Sequence, residues 1–108
     1  MNDPLLENST VIALGRKALE DDPGTVVYAD SALRPPGHVQ VGAETVRTEH
    51  PTLLVFRDEM PGANWMHPCT YALVDVETQG VLARVPSARP PTFGTLPESW
   101  VVVSDTSS

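Results

Sequence analysis

"TLLVFRD", residues 52–58, is the stretch on which the fold turns. Side chains along a strand alternate between its two faces. Leu53 and Val55 therefore share one face, and Leu54 and Phe56 share the other. Both faces are apolar, as in a strand covered on both sides at the centre of a sheet.

Downstream, "YALVDVETQGVLARV", 71–85, reads as a hairpin. Its turn has the form D-x-E-T-x-G, with Gly80 as the residue able to take positive φ. "SWVVVSD", 99–105, is a last strand, reached through a Pro-rich loop at 86–98. Upstream, "HVQVGAETVRT", 38–48, is a second hairpin. Val39 and Val41 alternate with polar neighbours there, which predicts a sheet edge with one wet face. "TVVYAD", 25–30, is a short strand, and "SALRPPGH", 31–38, a loop, since Pro35, Pro36 and Gly37 interrupt either element.

"STVIALGRKALEDD", 9–22, has helical spacing at Val11, Leu14 and Ala18, widened by Ile12 and Leu19. Asn8 or Ser9 would cap this helix, and "DDPG", 21–24, would stop it. Gly15 and the β-branched run Thr10-Val11-Ile12 favour the alternative of a strand at 10–14. The expected fold is α+β: one N-terminal helix packed on a mostly antiparallel sheet of five to seven short strands. Residues 1–108 form one domain, with frayed ends at 1–8 and 104–108.

The chain has 108 residues, eleven of them proline and seven glycine. Fourteen carboxylates face seven Lys and Arg, giving a net charge of −7. That balance argues against nucleic acid and against anionic membrane surfaces as partners. A single cysteine, Cys69, excludes an intrachain disulfide. "MNDPLLENST" has neither a basic n-region nor an apolar h-region, and no stretch is long enough to span a bilayer. The expectation is a soluble cytoplasmic protein. No phosphate loop of the form GxGxxG or GxxxxGK[ST] occurs.

The chemistry-bearing residues crowd into "DEMPGANWMHPC", 58–69. As metal ligands, His67 and Cys69 would need further donors from His38, His50, Asp58 or Glu59. No CxxC, HxxxH or HExxH spacing supports them, and no cofactor is expected. As a nucleophile, Cys69 would pair with His67, oriented by Asp58 or Glu59. A free cysteine is more commonly a small buried hydrophobe. Structurally, Trp65 would lid a core and His67-Pro68 would enter a strand in extended form. As a contact, Trp65 and Met66 would offer apolar surface to a partner. "EDD", 20–22, would be solvated or receive an Arg-rich partner.

The expected function is that of a small acidic, non-catalytic binding or regulatory domain of the inhibitor, immunity or accessory-subunit type. It would act through protein–protein contact, with Asp58, Glu59, Trp65, Met66 and His67 as binding residues. The alternative is a small metal- or thiol-dependent enzyme centred on His67 and Cys69. Self-association through sheet edges is a third possibility. The 38–48 hairpin would then be the edge, with Glu44, Arg47 and Glu49 guarding it against open-ended pairing.

Overall fold

The computed structural model describes residues 7–19, 22–59, 68–88 and 98–106. One helix and seven strands follow in order: α1 (Asn8–Ala18), β1 (Val26–Arg34), β2 (Gly37–Val41), β3 (Glu44–Thr48), β4 (Thr52–Asp58), β5 (Cys69–Asp75), β6 (Val81–Ser87) and β7 (Trp100–Asp105). Five strands form one sheet in the order β6-β5-β4-β1-β7, and β2 and β3 form a separate two-stranded sheet. Every pairing is antiparallel. No helix among the described residues is long and apolar enough to cross a membrane.

"TLLVFRD" is the middle strand, and Thr52 through Phe56 are all buried. Its two apolar faces meet two different covers. Leu53 and Val55 pack with Val27, Ala29, Ala72, Val74 and Val103 against Val11, Leu14 and Ala18 of the helix. Leu54 and Phe56 pack with Tyr71, Leu73 and Val85 against Val39 and Val41 of the β2–β3 hairpin. Tyr28, Phe56 and Tyr71 line up across β1, β4 and β5 on that second face, at ring-centroid separations of 5.9 and 5.3 Å. A fully buried Leu or Phe of this kind contributes about 1.5–3 kcal/mol through burial. The hairpin is thus a covering layer, not the sheet edge its polar alternation suggested. Its two-residue turn places Gly42 at φ 59°, the positive value a primed turn needs at its first position.

The helix begins one residue earlier than the pattern predicts, with Glu7 and not Asn8 or Ser9 at the N-cap position. It also stops at Ala18, four residues short of Asp22. Leu19 adopts an extended conformation, donates its N–H to the Gly15 carbonyl, and buries its side chain in the helix-side core. Arg84 Nε donates to the freed Ala18 carbonyl at 2.8 Å. Leaving the helix is what lets Leu19 reach the core.

"SALR", expected as loop, continues β1. The polar residues of this stretch meet their needs locally. Ser31 gives both its N–H and its hydroxyl to the Ser99 carbonyl, at 2.8 and 2.7 Å. Asp30 accepts the Ala32 N–H and pairs with Arg34. In the β5–β6 turn the positive φ falls on Gln79, at 63°, and not on Gly80. Pro86 and Ser87, assigned to the Pro-rich loop, belong to β6, while 89–97 lie outside the described residues. At the chain ends, Asn8 is helical and Ser104 and Asp105 are in β7, which Thr106 extends by exchanging hydrogen bonds with Gly24 and Thr25.

The register defines two ends of the main sheet. Asp58 lies opposite Cys69 and Val26, and Val26 lies opposite Asp105, at one end. Thr52 lies opposite Asp75 and Arg34 at the other. Seven residues of strand separate these ends by about 20 Å.

Candidate functional site

Of the six residues singled out between 58 and 69, Trp65, Met66 and His67 lie outside the described residues. Asp58, Glu59 and Cys69 frame the base of the β4–β5 connection, where the Glu59 N–H donates to the Pro68 carbonyl at 3.3 Å. Cys69 is 2% exposed and packs on the hairpin face beside Phe56 and Tyr71, with Sγ 3.5 Å from the Ser87 carbonyl oxygen. A nucleophilic or metal-binding thiol needs access, and Cys69 has almost none.

Glu59 turns the other way. Its carboxylate accepts the Thr70 hydroxyl and lies 3.5 Å from Arg57. Arg57 and Thr70 are cross-strand partners in phase with Leu53, Val55 and Ala72 on the helix face. Glu59 and Cys69 are therefore drawn to opposite faces of the sheet. His38 and His50, the other imidazoles considered as ligands, adjoin the far end, about 20 Å from Cys69. Among the described residues no group of three or more His, Cys, Asp and Glu is arranged to hold a metal ion.

What the helix face holds at the near end is a cleft of about 360 Å³, lined by Lys17, Leu19, Asp22, Arg57, Thr70 and Arg84 among others. It lies beside the C-terminal end of α1, where Ala18 and Leu19 form part of its wall. Three of the seven Lys and Arg in the chain converge there. Arg57 is oriented by Glu59 and by Asp22, each 3.5 Å away. Arg84 is fixed by its bond to the Ala18 carbonyl. The alternation of "TLLVFRD", carried one step past Val55, places Arg57 on this face. That signal was in the sequence, whereas the convergence of Arg84 and Lys17 depends on strand order and helix length.

At the far end a second polar group sits beside the β5–β6 turn. Asp75 Oδ1 accepts the N–H groups of Glu77 and Thr78 at 2.9 and 3.1 Å. Its Oδ2 lies 2.7 Å from His50 Nδ1, and Glu77 is 3.9 Å from His50 Nε2. The hydrogen bond to Asp75 raises the pKa of His50 above its ordinary value, and the same bond lowers that of Asp75. The group is a buried turn anchor with an imidazole partner.

The sheet also has two outer strands. β6 carries Arg84 and Pro86, both of which discourage further pairing. β7 carries no charge or proline from Trp100 to Ser104, and no described residue pairs with its outer side. Val102, on this strand, is 51% exposed, more than any other large hydrophobic residue described. A register irregularity past Val102 bends the strand and is its one structural guard.

Comparison with family models, with curated proteins and with solved structures gives no match.

Proposed function

We propose that this chain is a small non-catalytic cytoplasmic domain that works by protein–protein contact, taking an extended segment of its partner along β7. The observation that carries this reading is the outer side of β7 from Trp100 to Val102, which no described residue pairs with and which carries the exposed Val102. A sheet edge offers unpaired N–H and C=O groups as a template, so strand addition supplies backbone hydrogen bonds while side-chain contacts supply selectivity. The opposite edge is closed to such addition by Pro86 and Arg84. The segment added is either a second copy of this chain or a strand of another protein; the inhibitor, immunity and accessory-subunit roles expected from the sequence all fit this chemistry.

Sedimentation velocity over a range of concentrations, combined with a photo-reactive residue at position 102, tests the proposal. The expected result is a concentration-dependent dimer, lost in Val102→Lys, or a discrete cross-linked adduct formed from position 102 of the otherwise unaltered chain. A monomer at all concentrations, with no more adduct from position 102 than from a control position on the β3 surface such as Glu44, would overturn it.

A further inference from the structure

We infer that the cleft between the C-terminal end of α1 and strands β4–β6 is an anion site that accepts the phosphate group of a small molecule. The inference is independent of the β7 reading. It starts from an anomaly of charge. A chain of net charge −7 gathers three of its seven Lys and Arg around one cavity of about 360 Å³. Scattered solubilising charges would not converge in this way, and a cavity of this size is at the small end of those that hold small molecules.

The three cations are held differently, and each arrangement suits a ligand. Arg57 is set in place from behind, since Glu59 is itself anchored by the Thr70 hydroxyl and pairs with the guanidinium. Arg84 spends Nε on a neutral acceptor, the Ala18 carbonyl, and makes no ion pair among the described residues. Lys17, exposed in the last turn of the helix, also makes none. Its compact ammonium on a flexible stem suits a point contact, and the planar guanidinium forks suit paired oxygens.

Asp22 is the exchangeable member. It lines the cleft and reaches Arg57 at 3.5 Å, yet its side chain is 56% exposed. Such a surface contact is weak. Among the described residues its carboxylate is the one lining acid that contacts Arg57 without a further anchor, so it is the group an incoming phosphate would displace. A phosphate group suits the remaining charge better than a carboxylate, because it brings up to two negative charges and three acceptor oxygens to three cations. The helix C-terminus would oppose an anion, and the bond from Arg84 to the terminal carbonyl offsets that.

The test is an amide NMR titration of the full chain with inorganic phosphate, with chloride adjusted to hold ionic strength constant. Saturable shifts are expected at Lys17, Leu19, Thr70 and Arg84, with β2 and β3 unmoved. Asp22→Asn should tighten binding about threefold or more, and Lys17→Gln should weaken it by a similar factor, as expected for single exposed charges. Lys17 is chosen over Arg84 because it makes no structural hydrogen bond among the described residues, so the variant keeps its fold. Linear, non-saturating shifts, or equal affinity in the wild type and both variants, would overturn the inference. Weaker binding in Asp22→Asn would also overturn it, since Asp22 would then be a support and not a competitor.

Discussion

Asp75 is 5% exposed, and burial by itself would favour its neutral form. The hydrogen bond from His50, helped by two turn N–H groups, reverses that preference and holds its pKa below the ordinary 3.8. His50, bonded to the carboxylate, is held above its ordinary 6.5. Each shift is also a contribution to stability. The contribution of Asp75 is complete above 3.8 and is lost as pH falls through its lowered pKa. That of His50 is complete below 6.5 and is lost as pH rises through its raised pKa. The pair therefore supports the fold fully between those two ordinary values. Urea midpoints measured across the acid and neutral range should decline on the alkaline side in the wild type, and that decline should be shallower in His50→Gln. An identical alkaline-side decline in the variant would show that His50 is not its source. The turn role of Asp75 was legible from its place in "DVETQG". The partnership with His50 was not, because it joins residues 25 apart that meet only through the β4–β5 register.

At the scale of elements, the α1–β7 contact explains a residue that otherwise weakens the helix. Gly15 lies against Val103, and a Cβ at position 15 would come within 2.7 Å of a Val103 methyl. Val103 is buried and β-branched, so it has little room to yield. Gly15→Ala should gain about 1 kcal/mol of helix propensity but lose about 1–3 kcal/mol to overpacking. The expected net effect is destabilising. In a Val103→Ala background the obstruction is gone, and the same substitution should stabilise relative to Val103→Ala alone. Denaturation of the four proteins of this double-mutant cycle checks the change of sign; a Gly15→Ala effect of the same sign in both backgrounds would refute the close-approach explanation. Periodicity read the existence of α1 correctly but not its end, because Leu19 leaves the helix to meet a tertiary demand. "SALR" misled because Pro35, Pro36 and Gly37 suggest that the strand ends at Asp30, whereas β1 runs on to Arg34, with Ser31 bonded to the Ser99 carbonyl.

For the whole molecule, the two apolar faces of "TLLVFRD" required two covers, and the sequence reading supplied only the helix. The second cover is the hairpin, whose alternation is the same whether it borders a sheet or lies across one. Choosing between those requires knowing what Val39 and Val41 pack against, and that is decided by contacts with Phe56, Tyr71 and Val85, far away along the chain. The basic cleft follows a similar logic, since Lys17, Arg57 and Arg84 are brought together by strand order and by the early end of the helix. This layering also governs how the molecule opens. The hairpin shares no ladder with the main sheet and is held to it chiefly by side chains, whereas β4 is paired on both sides and buried on both faces. Local opening follows the number of contacts that must be broken. Native-state hydrogen exchange should therefore find amides such as Val39 and Val46 opening at a lower free energy than Leu53 and Val55, which should exchange only on global unfolding. Val41→Ala, which removes two methyl groups from a fully buried site, should widen that gap by about 1–2 kcal/mol if the hairpin lifts off as a unit. Equal exchange free energies for the hairpin and β4, unaltered by Val41→Ala, would show instead that the three layers unfold as one cooperative body.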